Sequence, residues 1–153
     1  MSDKMKITGV APIIAVPTFV YLIITAIISS LANPFFAITE SNSGVFIYLS
    51  VALILPGIIM VVSCGKRLLK SFDKNKLMTG GLYKIFRDPM YVAYLIFVIP
   101  GICLLFNSWL VLTTVFVNYV LYSIFIKREH KYLEEKFGIE YKNYLDKVII
   151  KFL

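Results

Sequence analysis

The side chains with chemistry to offer are gathered in two short polar segments. The first reads Thr79-Gly80-Gly81-Leu82-Tyr83-Lys84-Ile85-Phe86-Arg87-Asp88-Pro89-Met90-Tyr91. The second reads Arg128-Glu129-His130-Lys131-Tyr132-Leu133-Glu134-Glu135-Lys136-Phe137-Gly138-Ile139-Glu140-Tyr141. Guanidinium groups, carboxylates and tyrosine rings brought together make a pocket for a charged small molecule, through forked ion pairs and ring-face attraction of cations. Soluble-enzyme signatures are absent: there is no GxGxxG, no P-loop and no HExxH, and there is one histidine. Cys64 and Cys103 lie in apolar runs without CxxC spacing or a histidine cluster, which suggests neither a zinc site nor a disulfide framework and favours packing thiols. No metal is expected.

The elements that position these segments are four apolar spans, at about residues 10–31, 45–64, 90–106 and 109–126. Asn33-Pro34 breaks the first span, and a polar link over 33–44 follows, whose one charge is Glu40. Pro56-Gly57 is a kink in the second span, and Gly65-Lys66-Arg67 ends it. Span three carries Pro100-Gly101 and is short for a hydrocarbon core of about 30 Å. Asn107-Ser108 then turn the chain tightly, and Trp109 opens span four as an interfacial anchor. A hairpin this tight brings its open ends together, so Arg87, Asp88 and Tyr91 should lie near Arg128, Glu129 and His130. Beyond span four, 127–137 reads as an amphipathic helix with Tyr132, Leu133 and Phe137 among charges, and Gly138 breaks it. A second helical stretch places Tyr141, Tyr144 and Leu145 on one side. This tail either docks on the central loop or lies on the lipid surface.

Composition agrees. Hydrophobic residues make up 59% and charged residues 16% of the 153 residues, and mean hydropathy is +0.80. A soluble domain of this size has too little interior to hide that apolar surface. The fold expected is therefore all-α: a single polytopic membrane domain over 1–153, with four transmembrane helices, the last two a hairpin, and a cytoplasmic helical tail. The net charge of +7 reads as a topology and headgroup signal, and nucleic acid is not an expected partner. All 16 Lys and Arg fall in the N-terminal tail (Lys4, Lys6), the central loop or the tail from Lys127 onward. The positive-inside rule then puts both termini and the central loop in the cytoplasm. The stretch from Val10 to Leu31 is too long for a signal-peptide core of about 7–15 residues and is expected to remain in the mature protein.

At this point the two segments resemble the integral-membrane methyltransferases that include isoprenylcysteine carboxyl methyltransferase and the phospholipid N-methyltransferases. That pattern is Gly-x-Tyr-x-x-x-Arg-His-Pro-x-Tyr before a helical hairpin, then an acidic pair, Leu, and Phe-Gly-x-x-Tyr-x-x-Tyr. Gly81, Tyr83, Arg87, Pro89 and Tyr91 match its first half; Glu129, Leu133, Phe137, Gly138, Tyr141 and Tyr144 match its second. The resemblance covers residues 77–147, roughly half the chain, and implies S-adenosylmethionine as cofactor, held by the segments at about 77–91 and 127–147. It implies Arg128 and Glu129 as catalytic residues, and Gly81, Tyr83, Arg87, Asp88, Tyr91, Glu129 and His130 as cofactor-binding ones. Glu129 would take the cofactor ammonium or ribose hydroxyls, Tyr83 and Tyr91 would pack on adenine or sulfonium, and Arg87 or Arg128 would orient an anion. Two positions depart: Asp88 stands where the pattern has histidine, and His130 where it has an acid. Together they read as a swap that keeps a histidine–acid contact with its ends reversed.

The implied function is methylation of a lipophilic or lipid-linked acceptor, on the model of prenylcysteine carboxyl methylation. Phospholipid N-methylation and a non-catalytic membrane scaffold of the same fold are the alternatives, the latter favoured by the two departures. A transporter is disfavoured, because no ionisable side chain lies inside a span. Plainer roles stand beside the catalytic ones. Arg87 and Arg128 would serve as charge anchors, Tyr91 and Tyr132 as interfacial belt residues, and Asp88 as a helix cap before Pro89. Glu129 would pair with Lys127 or Lys131 on a wet face, and Gly80-Gly81 would be a loop breaker. Membrane lipids are the expected surroundings, and oligomeric state has no signal in the sequence.

Overall fold

A computed structural model describes residues 10–39, 44–73 and 76–151. Lys4, Lys6 and Glu40, named above, and Lys74 of the central loop lie outside the described residues. The architecture is helical: α1 (Ala11–Leu31), α2 (Gly44–Asp73), α3 (Pro89–Leu105), α4 (Trp109–Phe137) and α5 (Ile139–Lys147), with a 3-10 turn at Gly81–Lys84 before α3. The main packing runs from α1 to α4, from α4 to α3 and from α3 to α2.

Helices α1, α2 and α4 are long and apolar enough to cross a membrane; α3 is shorter. Their outward faces are apolar, as at Val16, Ile27, Ile59 and Phe116, which are 55–69% exposed and suit a lipid surface. Their inward faces combine apolar packing, as at Ile14, Leu22, Val111 and Ile126, with small polar groups. The Thr18 hydroxyl lies 3.2 Å from Asn118 Oδ1, and the Tyr21 and Thr113 hydroxyls meet at 3.0 Å, joining α1 to α4. Side-chain hydrogen bonds of this kind hold helices together where no hydrophobic force operates between them. Helices α2 and α3 approach closely at glycine: a Cβ on Gly101 would stand 2.6 Å from Ile54 Cγ1 and 3.2 Å from Ser50 O.

Helix α3 is irregular. Ala93–Val98 forms a π-helical turn immediately before Ile99-Pro100. Proline lacks the amide for the regular ladder and its ring crowds the carbonyl four residues back, so a widened turn there accommodates it.

Two helix boundaries differ from the sequence reading. Gly65-Lys66-Arg67 does not end α2, which continues to Asp73. One glycine costs a helix about 1 kcal/mol, and the lysines, arginine and leucines after it are good helix formers. Likewise span four and the amphipathic stretch 127–137 are one helix of 29 residues, so the charged half of α4 is carried rigidly by its apolar half. Gly138, at φ 49°, ends it as expected.

At one end of the bundle the hairpin turn is stitched to the first link. Ile38 N donates to Asn107 O (3.1 Å), Trp109 N donates to Phe36 O (3.1 Å), and Asn107 Nδ2 donates to Thr39 O (2.9 Å). Ser108 caps α4, and the Trp109 ring packs 5.2 Å from that of Phe36. At the other, charged end, α5 folds back onto the central loop, which decides between the two placements open to the tail. Tyr141, Tyr144 and Val148 are buried against Leu77, Tyr83, Leu133 and Phe137. Ile150 pairs with the loop backbone, donating to Ile85 O (2.7 Å) and accepting from Arg87 N (3.0 Å).

Candidate active site

The open mouth of the α3–α4 hairpin, at the charged end, gathers the polar candidates. Pro89 starts α3 at the one helix position where a missing amide is free of penalty. This places Asp88 at the helix entrance, 7% exposed. Its carboxylate makes no capping bond. Oδ2 instead meets His130 Nε2 at 2.9 Å, Arg87 Nε at 3.2 Å and the Tyr122 hydroxyl at 3.4 Å. The cap reading of Asp88 is thereby corrected: its acceptor is spent across the hairpin rather than on its own helix. The histidine–acid contact expected from the two departures is present.

One residue along α4, the Glu129 carboxylate points into the same mouth. Its Oε2 accepts from the Tyr91 hydroxyl (2.8 Å) and from the Val10 amide (3.1 Å), just before α1. Its Oε1 takes no bond from a described residue. Glu129 therefore does not pair with Lys127 or Lys131; the ion pair of Lys131 is with Glu135. Glu129 lies a turn beyond the apolar stretch, yet burial pushes its carboxyl above the usual range, against the opposing pull of the Tyr91 hydroxyl and the Val10 amide. Tyr91 and Tyr122, each bonded to one of the two acids, pack at a tilt of 51°, ring centroids 5.3 Å apart.

Tyr83 lies on the loop side, packed against the cluster of Tyr141, Tyr144 and Val148. The Tyr144 hydroxyl donates to its carbonyl at 2.9 Å, so α5 holds the 3-10 turn in place. Burial pushes the Tyr83 phenol well up, and the charges of Glu129 and Asp88 act in the same direction, so the three groups share one low-dielectric space. Gly81 takes φ 67°, which disfavours any other residue.

Of the sequence candidates, Asp88, His130, Arg87, Tyr91, Glu129 and Tyr83 come together, and Gly81 lies in the loop beside them. Arg128 does not join. It is exposed, with its guanidinium over the Phe125 ring on the same helix. Helical periodicity explains this, because Glu129 and His130 face the hairpin and their neighbour is turned away. Two members escaped the sequence reading. Val10 is a backbone donor from 119 residues away in sequence. Tyr122 sits in an apolar run, although its spacing from Ile126 and Glu129 marks one helix face. Two open hollows, of about 340 and 390 Å³, include neither Asp88, Glu129 nor His130.

A sequence model described as phospholipid methyltransferase matches residues 43–140, which holds both acids, His130 and the hairpin. The chain belongs to the phospholipid methyltransferase family. Two relatives of this membrane methyltransferase family, from Oryza sativa subsp. indica and Oryza sativa subsp. japonica, are each described as a probable protein-S-isoprenylcysteine O-methyltransferase. Each is 38% identical over 79 residues, covering 50% of this chain and 40% of the relative. The chain thus matches less than half the length of those relatives. No solved structure matches significantly.

Proposed function

We propose that the protein is an integral-membrane methyltransferase that uses S-adenosylmethionine to methylate a lipophilic acceptor, with a prenylcysteine carboxylate as the first acceptor to try. The observation that carries this is the Glu129 carboxylate, buried within the family segment, with one oxygen fixed by Tyr91 and Val10 and the other uncommitted. A fixed, partly desolvated carboxylate fits the ammonium of the cofactor's amino-acid part, which would supply the partner that burial otherwise denies. Tyr83 and Tyr91 offer ring faces beside it for adenine or a cation. When bound, the cofactor supplies an electrophilic methyl group, whose transfer to a carboxylate leaves a neutral ester and a neutral thioether.

The chain's own work is alignment. A displacement needs donor and acceptor held in line, and positioning of this sort is worth several kcal/mol. Tyr91 positions Glu129. The Asp88–His130 contact ties the start of α3 to α4, which holds the mouth at one width. The apolar faces of α2 and α3 beside it suit a lipid-soluble acceptor arriving from the bilayer.

In this reading α3 and α4 cross the membrane with α1 and α2, as four spans of a single domain. The charged end and the docked tail face the cytoplasm, in accord with the positions of the lysines and arginines. The relatives' description favours a prenylcysteine acceptor, whereas the family description favours a phospholipid amine.

Calorimetric titration of S-adenosylhomocysteine into detergent-purified protein tests the proposal. Micromolar binding that Glu129→Ala abolishes is the expected result. Methyl transfer assayed with S-farnesylcysteine and with phosphatidylethanolamine then separates the acceptors. Folded protein that binds no S-adenosylhomocysteine overturns the proposal in favour of a non-catalytic scaffold.

A further inference from the structure

The chain has three arginines, all at the charged end. Arg87 is committed to Asp88, and Arg128 is turned away over Phe125. Arg67 comes from the extension of α2 beyond its apolar part, and it folds back instead of reaching outward as a charge anchor would. Its Cζ, Nη1 and Nε lie 2.9, 3.0 and 3.1 Å from where a Cβ on Gly81 would stand. Three guanidinium atoms at nearly one distance mean that its face lies against the glycine. A Cβ at 81 would collide with that face, so the glycine serves the arginine as well as the backbone angle.

No carboxylate of a described residue lies within ion-pair distance of Arg67. With one face covered, its N–H donors are presented edge-on, and the side chain remains accessible. Arg67 is thereby seated on the 3-10 turn Gly81–Lys84, which carries Tyr83. Among the described residues, α2 thus offers a cation with no carboxylate partner beside the turn that carries Tyr83, and α4 offers a carboxylate with one oxygen that takes no bond.

We propose that Arg67, seated on Gly81, is the carboxylate-binding residue of this site. It would take, through a forked pair of hydrogen bonds, either the carboxylate of the cofactor's amino-acid part or that of the acceptor. The inference rests on the function proposed above and adds the anion subsite that Arg87 and Arg128 do not supply.

Titrations of S-adenosylhomocysteine and of 5′-methylthioadenosine, which lacks the amino-acid part, into wild type, Arg67→Gln and Arg67→Lys distinguish the sources. If Arg67 holds the cofactor, Arg67→Gln weakens S-adenosylhomocysteine by about tenfold or more and leaves methylthioadenosine within about twofold. If it holds the acceptor, both affinities stay, and KM for N-acetyl-S-farnesylcysteine rises by about tenfold with little change in kcat. In either case Arg67→Lys recovers only part of the loss, because it keeps charge without the fork. Gly81→Ala should reproduce the same defect by displacing the guanidinium. Arg67→Gln with both affinities and KM unchanged overturns the inference while leaving the methyltransferase reading intact. Wild type that binds no S-adenosylhomocysteine overturns both.

Discussion

Asp88 and Glu129 are neighbours in space with different duties, and single side chains separate them. Asp88 Oδ2 is shared by His130, Arg87 and Tyr122, so removing it breaks three contacts at once. Hydrogen bonds to a charged group are worth about 1.5–3 kcal/mol, so Asp88→His and His130→Glu should each lower activity by about ten- to a hundredfold. The double variant, which reverses the contact, should keep more activity than either single one; two harmless single changes would rule the swap out. Glu129 has the opposite balance. Its folded-state value lies above the ordinary 4.5. Its protonated form therefore favours the fold below that ordinary value, and this contribution disappears as pH rises through the folded-state value. At neutral pH the ionised group is a burden on the fold. Glu129→Gln should accordingly melt no lower than wild type at pH 7 and yet bind no S-adenosylhomocysteine. In wild type, binding should weaken as pH falls through a midpoint above 4.5, as titrations across pH would show.

At the scale of elements, the site depends on two joints. The first is the α2–α3 contact, where Gly101 meets Ile54 and the Ser50 carbonyl. A methyl there has backbone as well as side chain in its way, so Gly101→Ala should destabilise the protein by about 1–3 kcal/mol, read as a lower thermal midpoint in detergent. The second is the clamp of α5 on the loop. Tyr144 reaches the carbonyls of Tyr83 and Arg87, and Ile150 pairs with Ile85 and Arg87. Helix α5 and the segment after it thus brace the loop that carries Tyr83 and Arg87. The uninterrupted α4 serves the same end, because it transmits the register of the apolar half directly to Glu129 and His130.

For the whole molecule, the arrangement makes one end aromatic and the other charged. Phe35, Phe36 and Trp109 cluster at the first, and the acids and arginines at the second. If α1 to α4 each cross the bilayer, those ends lie on opposite sides of it. In a protein with Cys64 and Cys103 replaced by alanine, a cysteine at Phe35 and one at Lys142 should label with a membrane-impermeant maleimide from opposite faces. Labelling from one face would refute the four-span topology. Both positions are exposed, so the reagent has access in either case.

Much of this was legible in the chain itself. Long apolar runs, Asn107-Ser108 and Gly138 are local signals, and lipid leaves few other ways to satisfy a backbone than helices. The meeting of Asp88 with His130 and of Tyr91 with Glu129 was also foreseeable, since a short turn forces the open ends of a hairpin together. Other parts were decided only by tertiary structure. Val10 donates to Glu129 because α1 packs on α4, and nothing near Val10 in sequence announces it. Arg67 looked like the end of a span because a charge after an apolar run marks the membrane edge, and a helix that continues past that edge looks the same in sequence. The docking of the tail was left open because an amphipathic helix buries one face equally well against lipid or against protein, and only the partner presented by the central loop settles which.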